Sequence, residues 1–269
     1  MSLEPTPYDL LVKDIGSVPI TATSQGEGRA YLLLHGGAGP QSVSEFGELL
    51  AEDGRARVVT PTHPGFGSTP RPETVTNVTS LAKVHLELLT QLRLNDVTVI
   101  GYSFGGWVAA EMALLDSPRM SRMILVDAVG IEVQDHPIAD FFSLTLPEVA
   151  QLSYHDPDAF RIDPATMSHD QRQTMASNRT ALAIYGGGAM SDPTLRSRLA
   201  TINLPTLVVW GDSDRIVDPG YGRAYADAIP GASFRLLHAT GHVPQIETPA
   251  QLLAAITDFA RAKTDVPPR

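Results

Sequence analysis

A serine between glycines stands where a predicted strand leads directly into a predicted helix. The residues Gly101-Tyr-Ser-Phe-Gly105 have the spacing G-x-S-x-G. The β-branched run at 97–100 before them is typical of a buried strand. A strand-to-helix turn of this kind exposes the central hydroxyl, so we expect Ser103 to be a nucleophile. The apolar residues that follow recur at helical spacing: Trp107, Val108, Met112 and Leu115.

The turn around Ser103 also predicts a place for negative charge. Gly101 and Gly105 leave the room that a Cβ would fill in so tight a turn. The backbone N–H of Phe104 lies in the first turn of the helix, where unpaired donors favour an anion. A serine hydroxyl is a weak nucleophile at neutral pH, and it needs a base that is itself oriented by an acid. The residues therefore indicate acyl-transfer chemistry, with Phe104 as one donor to the oxyanion.

Four segments of the chain together resemble the α/β-hydrolase superfamily. Residues 101–106 resemble its nucleophile elbow, and three further segments stand in the family order: Leu34-His-Gly-Gly-Ala-Gly-Pro40, Trp210-Gly-Asp-Ser-Asp214 and Gly241-His-Val-Pro244. The resemblance extends from about residue 8 to about residue 262. It implies the α/β-hydrolase fold and a triad in the chain order serine, acid, histidine, but it is not specific for substrate.

The resemblance implies a base and an acid for Ser103. His242, after the last predicted strand, matches the base of the family. Asp214 matches the acid of the family pattern Gly-x-x-Asp, which begins here at Gly211. Asp127 stays open as an alternative acid, because some members carry the acid after that earlier strand. The acid is expected to stay ionised and to hold the imidazole in the productive tautomer.

The resemblance also implies a second oxyanion donor, the backbone N–H of Gly37. Gly36 and Gly37 let the backbone approach a substrate closely, which makes Gly36 a candidate binding residue. Phe141 and Phe142 are candidates for the acyl side of the pocket, although packing in a helix core explains them equally well. These residues complete the predicted site.

Other patterns have structural interpretations. His35 and His63, each in a loop that resembles the family, are expected to brace their loops by hydrogen bonding. No H-E-x-x-H or comparable ligand spacing occurs, and the chain has no cysteine. We therefore expect neither a metal nor a cofactor.

Two local elements are predicted by periodicity before the elbow. The chain opens with a hairpin of strands at 8–15 and 18–23, around Gly16-Ser17. An amphipathic helix is predicted at 76–92. Its apolar face consists of Leu81, Val84, Leu88 and Leu92.

Strands alternate with helices along most of the chain, which predicts a mostly parallel central sheet flanked by helices. The alternation stops between 129 and 200, where helical patches lie between prolines and glycines. Together with the α/β-hydrolase fold that the resemblance implies, this pattern predicts a core that consists of residues 1–128 and 201–269. An inserted helical cap at 129–200 is expected to cover the active site.

Composition excludes several other classes of protein. The chain has 269 residues, 43% of them hydrophobic, which is enough for a large core. Its net charge of −10 argues against sequence-independent binding to nucleic acid or to an anionic membrane. No apolar run approaches a membrane span and no signal peptide is evident, so a cytoplasmic protein is expected. Oligomeric state is left open.

The sequence as a whole predicts a serine hydrolase that cleaves a small carboxylic ester through an acyl-enzyme intermediate. Serine at 103 argues against dehalogenase and epoxide-hydrolase chemistry, because relatives with those activities place aspartate there. A carbon–carbon bond hydrolase of a vinylogous diketone is the alternative enzyme. The alternative of another class is a ligand-binding receptor with an intact triad and no metabolic turnover. In each case the expected partner is a small molecule.

Overall fold

The computed structural model describes residues 4–52, 54–160 and 163–261. The strands in this part of the chain are β1 (Thr6–Val12), β2 (Gly16–Gln25), β3 (Arg29–Leu34), β4 (Ala56–Thr62), β5 (Val97–Tyr102), β6 (Met120–Val126), β7 (Thr206–Gly211) and β8 (Ser233–Leu237). They form one eight-stranded sheet in the order β1-β2-β4-β3-β5-β6-β7-β8. β2 pairs antiparallel with β1 and β4, and every other neighbouring pair is parallel. The predicted mostly parallel sheet is therefore confirmed.

Helices cover both faces of this sheet. Those in the described residues are α1 (Gln41–Ala51), α2 (Val78–Gln91), α3 (Phe104–Leu114), α4 (Leu146–Ser153), α5 (His169–Gly186), α6 (Leu195–Arg198), α7 (Pro219–Ala228), α8 (Pro244–Glu247) and α9 (Pro249–Arg261). One apolar core contains buried residues of α2, α3 and α7, and the other contains buried residues of α1 and α9. Leu32 and Leu33, adjacent in β3, enter different cores, as the alternation of a strand requires. The central parallel strands β3, β5 and β7 are thus buried almost throughout, which explains their continuous apolar runs, whereas the edge strand β8 is largely exposed.

The opening hairpin turns earlier than its sequence suggests. β1 ends at Val12 and β2 begins at Gly16, so the prediction of strands at 8–15 and 18–23 around Gly16-Ser17 is wrong in register. Asp14 takes the left-handed conformation, with φ 62°, and the N–H of Ile15 donates to the carbonyl of Val12. Aspartate tolerates this conformation well, so the turn forms at 13–15 and Gly16 pairs with Val12.

The segment predicted as a cap contains α4, α5, α6 and two short 3-10 turns, Pro164–Thr166 and Leu199–Thr201. Its described residues contribute no strand to the sheet, apart from an isolated bridge between Gly130 and Ser191. The bounds 129–200 stay a prediction. Residues 1–3 and 262–269 of the predicted core lie outside the described residues. No helix in the described part of the chain is long and apolar enough to cross a membrane.

Candidate active site

The turn that carries Ser103 has a strained backbone. Ser103 joins β5 to α3 with φ 51° and ψ −115°, a conformation that costs on the order of 1–3 kcal/mol for a residue with a side chain. A Cβ on Gly101 would lie 2.3 Å from the carbonyl oxygen of Gly105. A Cβ on Gly105 would lie 2.1 Å from the carbonyl oxygen of Leu34. Glycine at both positions therefore lets α3 start directly against the strands, with Ser103 at the apex.

The three residues predicted as the triad lie in one hydrogen-bonded chain. The Oγ atom of Ser103 is 2.8 Å from Nε2 of His242. The Nδ1 atom of His242 is 2.8 Å from Oδ2 of Asp214. When Nδ1–H donates to the carboxylate, Nε2 is left as an acceptor for the serine proton. The arrangement has the reach that general-base activation of a serine requires.

The carboxylate of Asp214 is fixed by hydrogen bonds from the backbone that follows it. Its side chain is fully buried. Its Oδ1 atom accepts hydrogen bonds from the N–H groups of Ile216, at 2.8 Å, and Val217, at 3.1 Å. Because both oxygens accept N–H donors, the negative charge is compensated where it lies and the carboxylate is fixed toward His242.

Asp127, the alternative acid, lies beside Asp214. It follows β6 with φ 46°, and its Oδ1 atom accepts the N–H of Gly211 at 2.9 Å. One side-chain atom each of Asp127, Asp214 and His242 lie within 4.8 Å of one another. The Nδ1 atom of His242 is hydrogen-bonded to Asp214, so Asp127 lies close to both residues while Asp214 is the carboxylate that contacts the imidazole. Burial, and then the charge of Asp214, raise the pKa of Asp127 well above its usual range.

The loop that carries His242 is held by a glutamate that the sequence analysis missed. Glu247, at the end of α8, accepts the N–H of Gly241 at 2.6 Å. Its other oxygen accepts the N–H groups of His155, at 2.8 Å, and Asp156, at 3.0 Å, which follow α4. One carboxylate therefore joins the His242 loop to the segment predicted as a cap. An acidic residue in a short helix carries no specific signal in sequence, so this role depends on the fold.

The glycine-rich loop after β3 runs beside Ser103. A Cβ on Gly36 would lie 3.1 Å from the Cβ of Ser103. A Cβ on Gly37 would lie 2.9 Å from the side chain of Leu182, on α5. The structure thus places the predicted second oxyanion donor between the elbow and the cap helix. Phe104, the predicted first donor, begins α3 and is completely buried.

Three buried histidines form a chain of hydrogen bonds that supports the loop after β3. The backbone N–H of His63 donates to Nε2 of His35 at 3.1 Å, which leaves Nδ1–H of His35 to donate to the carbonyl of Gly36 at 2.8 Å. The Nε2 atom of His63 is 3.0 Å from the carbonyl oxygen of His35, and its Nδ1 is 2.8 Å from Nε2 of His85. His35 and His63 thus have the contacts expected of bracing residues. His85 lies on the apolar face of α2, where helical periodicity gave no reason to single it out.

All three imidazoles are neutral because they are buried. Burial lowers the pKa of His35 to about 4 and that of His85 to about 3. Burial, and then the neighbouring His35 and His85, lower the pKa of His63 well below its usual range. A charged imidazolium in this position would be both desolvated and close to another imidazole. The cluster is therefore an uncharged network of hydrogen bonds.

Helix α5 lies across the loops at the site. Its buried residues recur at helical spacing: Asn178, Ala181, Leu182, Tyr185 and Gly186. The amide of Asn178 donates to the carbonyl of Ala38 at 3.1 Å and accepts the N–H of Gly67 at 2.8 Å. The hydroxyl of Tyr185 donates to the carbonyl of Pro64 at 2.8 Å. Asn178 and Leu182 were not predicted as site residues, because their contacts are to loops more than a hundred residues earlier.

Phe141 and Phe142 lie in another part of the cap segment. Their rings contact each other at 4.6 Å between centroids and line a cavity of about 1190 Å³. Residues 131–142 and 188–200 supply most of its wall, whereas Ser103 and His242 are not among its lining residues. This cavity therefore does not connect the two phenylalanines with Ser103. Their role in substrate binding stays a prediction.

Residues 31–256 match the alpha/beta hydrolase family, and the chain belongs to that family. It is 25% identical over 267 residues to 2-hydroxy-6-oxo-6-(2'-aminophenyl)hexa-2,4-dienoic acid hydrolase of Metapseudomonas resinovorans, covering 93% of this chain and 90% of the relative. It is 27% identical over 265 residues to 2-hydroxy-6-oxo-2,4-heptadienoate hydrolase of Pseudomonas putida, covering 92% and 95%. A thermophilic esterase from Thermogutta terrifontis has a similar structure, with a TM-score of 0.76, 23% identity and coverage of 95% and 98%. Family and relatives together establish the coarse class, a hydrolase.

Proposed function

We propose that the chain is a serine hydrolase that cleaves small carboxylic esters. The observation that carries the proposal is the continuous hydrogen bonding from Ser103 Oγ through both nitrogens of His242 to the buried Asp214. Such a chain activates a hydroxyl that is otherwise a weak nucleophile. It needs no group beyond the side chains themselves, and its partner is a small molecule.

The reaction would proceed in two halves. Ser103 Oγ attacks the ester carbonyl while Nε2 of His242 takes the hydroxyl proton, and Asp214 stabilises the imidazolium. The tetrahedral oxyanion accepts hydrogen bonds from the N–H groups of Phe104 and Gly37. The imidazolium gives its proton to the departing alcohol, which leaves an acyl group on Ser103. Water, deprotonated by His242, then releases the carboxylic acid and restores the hydroxyl.

The first test is hydrolysis of p-nitrophenyl acetate and butyrate by the wild type and by Ser103→Ala. Removal of the nucleophile should lower kcat by about a millionfold, the loss seen when a serine-protease nucleophile is removed. Ser44→Ala is the matched control, because the hydroxyl of Ser44 is exposed and donates only within α1. Equal rates for the wild type and Ser103→Ala would contradict the proposal.

A carbon–carbon bond hydrolase is the second candidate, and the names of the relatives favour it. Two of them, 25% and 27% identical, are named as hydrolases of 2-hydroxy-6-oxo dienoic acids. The same Ser103 and His242 would serve that reaction. Measuring kcat/KM for such a dienoate and for the p-nitrophenyl esters on one preparation separates the two activities. Tight binding of a small molecule with negligible turnover of both would instead indicate a receptor.

A further inference from the structure

Asp127 is a second buried carboxyl group next to Asp214 and His242 of the proposed triad. It is completely inaccessible to solvent. Its backbone is fixed by a 3.1 Å hydrogen bond from its N–H to the carbonyl of Val209, and its Oδ1 atom accepts the N–H of Gly211. Its backbone takes the left-handed conformation, with φ 46°, which aspartate tolerates.

The second oxygen of Asp127 has no donor. Its Oδ2 atom is buried and accepts no hydrogen bond from any residue that the structure describes. A buried carboxylate with an unpaired oxygen is costly, and a second carboxylate close by makes it more so. Atoms of Asp127 and Asp214 lie within 4.8 Å of each other. Each charge makes ionisation of the other carboxyl group less favourable, so a proton on one of the two lowers the cost of burying the pair.

The contacts decide which of the two carries it. Asp214 receives two backbone N–H groups on one oxygen and the Nδ1–H of His242 on the other. Asp127 receives one N–H in total, from Gly211. Three donors stabilise a negative charge better than one, so the charge belongs on Asp214 and the proton on Asp127. The pKa of Asp127, raised by burial and by the charge of Asp214, agrees with this assignment.

We propose that Asp127 is a neutral carboxylic acid at neutral pH, and that its Oδ2–H donates a hydrogen bond to Asp214 and holds that carboxylate against His242. Asp127 is then a positioning residue, because it acts on the reaction only through Asp214. It keeps its proton throughout turnover and adds no charge beside the imidazolium. This inference rests on the proposed role of Ser103, His242 and Asp214.

The test compares Asp127→Asn and Asp127→Ala with the control Asp258→Asn, because Asp258 is exposed on α9. Asparagine keeps the shape, the acceptor for Gly211 and an N–H donor toward Asp214, whereas alanine keeps none of these. We expect Asp127→Ala to lose about tenfold to a hundredfold in kcat, the effect of a small displacement of a catalytic group. The kcat of Asp127→Asn should be at least about tenfold higher than that of Asp127→Ala.

The pH–rate profile separates a neutral Asp127 from an ionised one. A neutral Asp127 predicts that the acid limb of kcat/KM stays in place in Asp127→Asn, since no charge has been removed. An ionised Asp127 would favour the imidazolium of His242, so its loss would move the acid limb to lower pH by about one unit or more. That displacement, or an Asp127→Asn variant as slow as Asp127→Ala, would overturn the inference.

A measurement on the wild type keeps the test independent of the variants. The infrared spectrum at pH 7 should contain the C=O stretch of a protonated carboxylic acid. Its absence refutes the inference even if neither variant folds. If Ser103→Ala keeps full activity, the proposed function fails. If Ser103→Ala is inactive while the infrared band is missing, only the role of Asp127 fails.

Discussion

The hydroxyl oxygen of Ser103 lies 2.8 Å from Nε2 of His242, although the two residues are 139 positions apart in sequence. Ser103 follows β5 and His242 follows β8, which are three positions apart in the sheet order. Their loops meet beyond the carboxyl ends of parallel strands, where ligands bind in open α/β sheets. The contact therefore depends on the turns that hold each partner, and disturbing a turn should be measurable as lost stability or activity.

Gly105→Ala should destabilise the protein by about 3 kcal/mol or more, in the range of severe steric strain. The added Cβ would lie 2.1 Å from the carbonyl oxygen of Leu34 and 2.7 Å from that of His35, so the backbone itself would have to move. Gly188→Ala is the matched control, because nothing lies within 4 Å of a Cβ there. Urea unfolding at neutral pH measures both variants. Equal stability of the two would show that the elbow tolerates a side chain.

Glu247→Gln should lower kcat by about tenfold to a hundredfold, because it loosens the loop that carries His242. One carboxylate oxygen accepts the N–H of Gly241, and the other accepts two N–H groups that follow α4. Glutamine replaces one of these acceptor oxygens with an NH₂ group, which would point its hydrogens at a backbone N–H donor. Steady-state kinetics with p-nitrophenyl butyrate measure the loss, and Glu52→Gln, at an exposed position, provides the same chemical change elsewhere. A kcat within twofold of the wild type would count against a role for Glu247 in positioning.

Asn178→Ala should destabilise the protein by about 1–3 kcal/mol, the cost of a buried group left without its hydrogen-bond partner. The variant frees the carbonyl of Ala38 and the N–H of Gly67, which the amide joins across two loops. Because the first of these loops carries Gly37, we also expect a lower kcat. Thr180→Ala is the control in the same helix, since the Thr180 hydroxyl donates only to the carbonyl of Ala176. If the two variants unfold at the same urea concentration, the bridge contributes nothing measurable.

The buried histidines should make the protein labile to acid. Burial lowers the pKa of His35 to about 4 and that of His85 to about 3, whereas the unfolded chain titrates near its ordinary value of 6.5. Below that value the unfolded state binds more protons, so the free energy of unfolding falls as pH decreases from 6.5 toward 4. Each such histidine contributes a slope of roughly 1 kcal/mol per pH unit.

Urea unfolding at several values from pH 7 to pH 4 measures this slope. His85→Gln should reduce it, because glutamine can still donate to His63 but does not titrate. His169→Gln is the control, because the ring of His169 is exposed in the folded protein as it is in the unfolded chain. A slope equal to that of the wild type in His85→Gln would show that His85 does not take up a proton on unfolding.

Sequence periodicity and turn residues predicted the helix before the elbow closely, but they placed the turn of the first hairpin a few residues too late. The helix predicted at 76–92 is observed at Val78–Gln91, because Asn77 accepts the N–H of Ser80 and fixes its start. The first hairpin turns at 13–15 instead of at Gly16-Ser17, because Asp14 adopts the left-handed conformation that the turn requires. Turn residues compete within a few positions of one another, and pairing with the neighbouring strand decides between them.

The sequence by itself determined the elbow at Ser103, the chain order of the motifs and the class of fold, because these depend on steric limits and periodicity within short segments. Tertiary structure alone decided that Asp127 lies close to Asp214, that His85 hydrogen-bonds His63 beneath the loop after β3, and that Asn178 and Glu247 join the segment predicted as a cap to loops elsewhere in the chain. Each of these contacts joins residues far apart in the chain. Their side chains have no periodic or local signature, so only the packing of strands and loops selects their partners.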